Sequence, residues 1–452
     1  MSTSTLTSSP QEWAALYRRD DGEQQPISPV EREFGVEAAG RRHGLEIIRS
    51  LVTALGDPQL RFPTIHVAGS KGKGSTVAML SLILRAAGYR VGSYTSPSLT
   101  HFGERIQVNG ESISDAQTER HLDRIQPFAD RLAERPKFFE VTTAIAFEHF
   151  AQQAVDVAVI EVGIGGRLDA TNVVMPELAI ITSLELEHTY ILGDTIEAIA
   201  REKAGIIKPG VATLTAVTDA EAIEAIADTC DERGSRLWRI DRDFAVRKIR
   251  GDTKHQRIDV ELGPELGGVR FADLDVGLAG DAQTTNAALA VAAARLVRPR
   301  FSRVTDSAVR QGLRDARWPG RLELVDGRPA VLLDVAHTPA SACQMRRYVD
   351  RFFGDVPKTL VIGMLRDKRV HEVTAQLAGA FDQIIAAPVK WFRTLEADPL
   401  AAAFLSHGES PRSAPTIASA VELAIQSTPP HGLVVIAGSL FAVGEAKRRF
   451  GW

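Results

Sequence analysis

Cysteine is nearly absent: Cys230 and Cys343 are the only two in 452 residues. Two thiols cannot build a disulfide framework or a multi-cysteine zinc site, and such sparse usage suits a reducing, cytoplasmic setting. No window holds the roughly 18 uninterrupted apolar residues that a membrane helix needs, so no membrane partner is expected. The first thirty residues are polar, carry Pro10, Pro26 and Pro29, and lack the apolar segment of a secretory signal. A basic surplus is missing too. Lys and Arg total 53 against 57 Asp and Glu, a formal net charge of -4, whereas dedicated nucleic-acid binders carry the opposite imbalance. The guanine-reading Asn-Lys-x-Asp of small GTPases does not occur, nor do the motifs of protein kinases.

What is present reads as a multidomain α/β enzyme. The length predicts two to three domains, and 44% hydrophobic with 24% charged residues is globular composition. Helices are expected over 12–19, 44–55, 75–87, 138–153, 195–204, 284–296 and 306–316, from apolar residues at three- and four-residue spacing bounded by Gly and Pro. Short apolar runs predict strands over 64–68, 90–94, 155–162 and 178–183, and 237–274 reads as β-rich. After Pro319 a second alternation begins, with strands over 330–334, 359–364, 383–388 and 433–437 and helices over 340–353, 370–381 and 417–426. The expected fold is a large P-loop ATPase-type domain with a mostly parallel sheet, residues 1–317 including an N-terminal extension 1–43. A smaller Rossmann-like α/β domain follows at 318–452.

Between the first strand and its helix lies Gly69-Ser70-Lys71-Gly72-Lys73-Gly74-Ser75-Thr76. Glycines let backbone N–H groups turn toward a phosphate, and a helix N-terminus adds a favourable dipole. Lys73 can reach the outer phosphates and the Ser75 hydroxyl can hold magnesium. The strict P-loop pattern would place glycine at Val67 and a hydroxyl residue at Gly74, so this is a variant loop. Glu161 ends an apolar strand just before Gly163-Ile164-Gly165-Gly166, where a magnesium ligand beside a phosphate loop belongs.

The ordered motifs resemble one family. Beside the phosphate loop stand Tyr94-Thr95-Ser96-Pro97, Glu104-Arg105-Ile106, Phe138-Phe139-Glu140-Val141-Thr142 and Glu161 through Asn172. His188, Leu192-Gly193-Asp194-Thr195, Glu202-Lys203-Ala204-Gly205, Pro319-Gly320-Arg321, Asp334 through Pro339, Asp367-Lys368 and Gly438-Ser439-Leu440 continue the series. Together they are similar to the folylpolyglutamate synthase/dihydrofolate synthase family of the Mur ligase superfamily, over about residues 12–450. The resemblance implies ATP-dependent activation of a folate or pteroate carboxylate as an acyl phosphate, followed by amide formation with L-glutamate. ATP and two Mg2+ ions are implied as cofactors, and a monomer acting on small molecules as the working unit.

The resemblance also assigns residues. It places ATP on Gly69, Ser70, Lys71, Gly72, Lys73, Gly74 and Ser75, with Asn286 at the adenine, Asp334 at the ribose and Arg321 near the phosphates. It places one metal on Ser75 and Glu161, and a second near Glu161, His188 and Lys203, with Lys203 carbamylated. Phe139, Asp169 and Arg105 fall on the pteroate side, and His337 and Ser439 face the glutamate. Lys73, Glu161, Lys203 and His337 are the expected catalytic group. Departures cluster on the substrate side: Ser98 stands where the family usually has His, Glu187 where it has Asp, Val335 and Thr338 where it has Gly and Asn, Ala282 for a His, and Lys137 for a frequent Thr. Two alternatives accompany this reading: a superfamily ligase for a different acid or amino acid, and a nucleotide-binding paralogue that has lost ligation.

Overall fold

The structure, a computed structural model, describes residues 28–34 and 44–452. The helix expected over 12–19 lies outside the described residues.

The large domain is organised by an eight-stranded sheet. Its strands are β1 (Thr64–Ala68), β2 (Val91–Tyr94), β3 (Ile106–Val108), β4 (Glu111–Ser112), β5 (Val157–Glu161), β6 (Leu178–Ile181), β7 (Ala212–Thr215) and β8 (Leu237–Arg239). Their spatial order is β4-β3-β2-β5-β1-β6-β7-β8. The six strands from β2 to β8 pair in parallel, while β3 and β4 add an antiparallel edge. Alternation along β5 shows why Val157 to Ile160 are all apolar. Val157 and Val159 pack beneath the helices Lys73–Ala86 and Ala282–Val297, whereas Ala158 and Ile160 face the opposite core under Phe138–Gln152.

A three-stranded antiparallel sheet, β9 (Phe244–Gly251), β10 (Gln256–Leu262) and β11 (Arg270–Val276), joins the first of these cores through Phe244, Ile258, Val260 and Leu274. It accounts for the β-rich stretch of the sequence. The C-terminal sheet comprises β12 (Glu323–Val325), β13 (Ala330–Leu333), β14 (Lys358–Ile362), β15 (Gln383–Ala386), β16 (Arg412–Ser413) and β17 (Leu433–Ala437), in the order β12-β13-β17-β14-β15-β16. Only β12 runs antiparallel.

Among the described residues, four helices longer than six residues escape the sequence reading: Asp115–Ala129, Ala220–Glu232, Ala397–Leu405 and Leu440–Phe450. The first carries Pro127 in its last turn. The last carries Gly444 at its centre and starts three residues after β17, so glycine and a preceding apolar run hide its period.

Chain direction fixes where a ligand can sit. From β1 the chain moves to β2, toward one edge, and from β6 it moves to β7, toward the other. The loops after β1 and β6 therefore splay apart at the sheet's C-terminal end, the crevice in which doubly wound folds bind ligands.

The phosphate-loop helix Lys73–Ala86 is held by Asp306–Arg314, and Gly312 permits the close approach. A Cβ there would lie 2.5 Å from Ile83 Cα. Gly312→Ala should cost about 1–3 kcal/mol from overpacking, partly offset by roughly 1 kcal/mol of helix propensity. A thermal melt should show a lowered Tm; an unchanged Tm would mean that the two helices separate freely.

Candidate active site

The loop leaving β1 is shaped by two glycines at positive φ, Gly69 at 144° and Gly72 at 85°. A side chain at Gly69 would overlap the Thr182 hydroxyl, and one at Gly72 would overlap Asn286 Oδ1. The loop after β6 braces this turn. Ser70 N–H donates to Ser183 O at 2.6 Å, Lys71 N–H to Ser183 Oγ at 3.2 Å, Glu185 N–H to Ser70 Oγ at 3.0 Å, and Thr182 Oγ1 to Lys71 O at 2.6 Å. The helix begins at Lys73, two residues before the expected Ser75, which brings the amides of the motif's second half to the helix N-terminus.

Three lysines gather here. Lys73 Nζ and Lys203 Nζ each donate to Gly69 O at 3.0 Å. Lys203, 2% exposed, also meets Glu187 Oε1 at 3.2 Å, and Lys71 lies 3.7 Å from Glu187 Oε2. Burial would raise the Glu187 carboxyl, but Lys73, Lys203 and Lys71 override it and hold it at about 2. Burial, then the Lys73 charge, lowers Lys203 to about 8. His188 follows in the left-handed conformation at φ 49°, and burial lowers its pKa against the pull of Glu187.

Glu161 ends β5 inside the cleft, and its Oε2 accepts from Ser96 N–H at 3.1 Å. Burial pushes it up to about 7, against Lys73, the Ser96 amide, Arg321 and Arg105. Ser75 lines the same cleft from the first turn of its helix. No three His, Cys, Asp or Glu side chains among the described residues are grouped to hold a metal. The donor chemistry nonetheless fits magnesium, which uses one or two protein oxygens together with water and phosphate oxygens.

The C-terminal sheet supplies the facing wall. Asp334, at the end of β13, accepts from Leu322 N–H at 2.8 Å and Ala336 N–H at 2.9 Å. Burial pushes it up to about 6 against the Arg321 charge. Burial also lowers Arg321, with Asp334 and Glu161 opposing, so one half-buried guanidinium feels a carboxylate from each domain. Burial and Lys71 lower His337 to about 3. The His337 ring is therefore neutral at physiological pH, and its Nδ1, 2.9 Å from Val335 O, is assigned the proton, leaving Nε2 as an acceptor. Ser439 caps the helix Leu440–Phe450, its Oγ accepting from Ala442 N–H at 3.0 Å while the residue lines the cleft. The whole cleft between the domains measures roughly 2700 Å³.

Comparison with known proteins now decides the family. Residues 67–294 match the Mur ligase middle domain, and residues 320–440 match the Mur ligase glutamate ligase domain. The dihydrofolate synthase/folylpolyglutamate synthase of Bacillus subtilis is 34% identical over 91% of this chain and 95% of its own length. The chain belongs to the folylpolyglutamate synthase/dihydrofolate synthase family of Mur ligases. A probable bifunctional folylpolyglutamate synthase/dihydropteroate synthase of Halobacterium salinarum is 39% identical over 91% of this chain, which spans only 50% of that protein. Among solved structures, Mycobacterium tuberculosis folylpolyglutamate synthase complexed with ADP and AMPPCP superposes with a TM-score of 0.83 at 32% identity, covering 90% of this chain and 96% of that one. The Escherichia coli enzyme in complex with DHPP and ADP gives 0.82 at 29% identity, covering 99% of each chain. A bifunctional folylpolyglutamate synthase/dihydrofolate synthase with Mn, AMPPNP and L-glutamate bound gives 0.79 at 31% identity, over 91% and 95%.

Phe139 and Asp169 are not among the residues that line this cleft. Asp169 is turned inward: its Oδ2 accepts from Gly163 and Ile164 N–H, both at 3.1 Å, and its Oδ1 from the Thr171 amide at 3.0 Å and its hydroxyl at 2.5 Å. It shapes the loop after Glu161. Phe139 lies behind Gly163 and beside Tyr94. Its neighbour Phe138, one step around the helix, lines the cleft beneath the Arg105 guanidinium, 5.2 Å above the ring. Residues the sequence reading passed over include Thr182 and Ser183, which brace the loop, and Trp318, against which Gly74 packs. Only Glu187 carried a signal, as a departure from the family pattern.

Gly72→Ala should weaken binding of ATP by at least tenfold, because the added methyl both strains the turn and displaces Asn286. Titration with a fluorescent ATP analogue measures this, and unaltered affinity would detach this glycine from the nucleotide.

Proposed function

We propose that this protein is an ATP-dependent ligase that joins L-glutamate to the carboxylate of a pteroate or folate, as dihydrofolate synthase, folylpolyglutamate synthase or both. One observation carries the reading: the braced phosphate loop with Lys73, Lys203 and Glu161 faces His337 and Ser439 across a single cleft. A nucleotide site and an amine site can thus meet at one acceptor carboxylate.

In this reading an acceptor oxygen attacks the γ-phosphorus of ATP, the bond to ADP breaks, and an acyl phosphate forms. The amine of glutamate then attacks the acyl carbon, phosphate departs with the C–O bond pair, and the nitrogen loses a proton. Lys73 balances charge on the transferred phosphoryl group. Arg321 supports the phosphates, Asp334 the ribose and Asn286 the adenine, while Gly69 through Ser75 wrap the phosphates. Lowered to about 3, His337 is too weak a base to deprotonate an ammonium and instead orients the amine by accepting its hydrogen bond. Ser439 can donate to the glutamate carboxylate, and Arg105 with Phe138 receives the acceptor's aromatic part. Asp169 contributes by holding the loop after Glu161.

Ser75 and Glu161 would hold one Mg2+ and Glu161, His188 and Lys203 a second, which would supply charge screening along the triphosphate. Carbamylation of Lys203 belongs to the same reading. Its pKa near 8 exposes the neutral amine that carbon dioxide requires, and an anion there would meet Lys71 and Lys73. The domains divide at 317/318, a monomer suffices because one chain supplies both walls, and a cytoplasmic setting accords with two free cysteines. No helix among the described residues is long and apolar enough to cross a membrane. A different acid as acceptor is the second reading, favoured by Ser98, which lines the cleft where the family usually has His.

The test is glutamate-dependent phosphate release from ATP with dihydropteroate, tetrahydrofolate and 5,10-methylenetetrahydrofolate. Release with none of them overturns the acceptor assignment. Lys73→Ala should fold and ligate about 10²–10³-fold more slowly; near-normal turnover would remove the loop from catalysis. Lys203→Ala should be almost inactive, and wild-type protein incubated with 13C-bicarbonate should show a carbamate carbon resonance that the variant lacks. A spectrum without that resonance sinks the modified lysine.

A further inference from the structure

The loop after β2 is held by the other domain. Within the large domain, Ser96 N–H donates to Glu161, Thr95 N–H to Arg105 O at 3.0 Å, Leu99 N–H to Glu104 Oε2 at 2.7 Å and Thr100 N–H to Glu104 Oε1 at 3.1 Å. Every one of these uses a loop amide. The carbonyls turn the other way. Arg448, on the C-terminal helix Leu440–Phe450, donates through Nη1 to Leu99 O at 3.3 Å and Thr100 O at 3.1 Å. One turn earlier, Gly444 lets the helix backbone approach so closely that a Cβ would overlap the Leu99 carbonyl oxygen. The Leu99 side chain packs into the C-terminal core with Val335 and Val443. Ser439, on the glutamate side, caps this same helix.

We propose that Arg448, seated by Gly444 and Leu99, is a positioning residue for the acid acceptor: it couples the seating of the C-terminal domain to the conformation of the loop that presents Arg105 and meets Glu161. Because one helix carries both Ser439 and Arg448, bringing the glutamate side to the cleft also fixes the acceptor side. The nucleotide loop takes no contact from this helix in the bonds described, so the latch acts on the acceptor loop rather than on the phosphate loop. The proposal rests on the ligase reading above.

Arg448 is exposed, so Arg448→Ala should fold normally. Its loss removes the charged donor from the Leu99 and Thr100 carbonyls, and KM for the acid acceptor should rise about tenfold, while kcat at saturating acid and KM for ATP stay within about twofold. Arg448→Lys should recover part of the loss, and Gly444→Ala should shift the same KM in the same direction. Hydrogen exchange reads the loop without any assay of activity. Amides in segment 95–105 should exchange at least about tenfold faster in Arg448→Ala than in wild type. Unchanged exchange there overturns the latch, as does an unchanged KM for the acid, or a joint loss of kcat, both KM values and thermal stability that lysine does not restore. Wild-type protein that releases no phosphate with any acid defeats the ligase reading, and the exchange result then judges the latch alone.

Discussion

Three lysine ammonium groups share one buried corner with a single low-pKa carboxylate, and the cleft depends on that grouping. Lys71 and Lys73 come from the phosphate loop and the helix start after it, Lys203 from a helix far along the chain, and together they hold the Glu187 carboxyl well below its usual range. Gathering like charges in a partly desolvated place is costly. The cost is tolerated where a polyanion is to be met, since the field that repels the lysines from one another attracts phosphate. The Gly69 carbonyl, accepting from two of them, ties their placement to the glycine turn itself.

That corner lies where it does because the sheet changes direction there. The loops after β1 and β6 diverge, and their exposed polar groups satisfy one another: the backbone of Ser70 and Lys71 bonds to Ser183, and Thr182 bonds back. A loop so braced loses little further entropy when it wraps a ligand. The flanking helix Ala282–Val297 brings Asn286 against Gly72, so the turn of the phosphate loop is shaped wholly within the large domain.

The acceptor side is built differently. It draws on the loop after β2, where Ser98 departs from the family pattern, on Phe138 and on the C-terminal helix. Arg321 marks the seam, one half-buried cation that feels Asp334 from its own domain and Glu161 from the other. Its placement therefore bears on both carboxylates together.

Much of this was legible in the residues. The expected strands 64–68 and 433–437 coincide with β1 and β17, and the all-apolar Leu433–Ala437 is what burial on both faces favours. The phosphate loop announced itself through glycines and lysines in a fixed order, since only that order offers amides and charge to a phosphate. Packing and direction were not legible. Period could not reveal a helix interrupted by Gly444, because that glycine answers to a carbonyl in a distant loop. Motif likeness could not say that Asp169 turns inward while Phe138, not Phe139, reaches the cleft, because one step around a helix changes the face. The sequence by itself determined the alternation of strands and helices and the chemistry of the phosphate loop, both of which are local. The tertiary structure alone decided which lysines meet Glu187 and which helix seats the acceptor loop, since these contacts join residues that only the fold brings together.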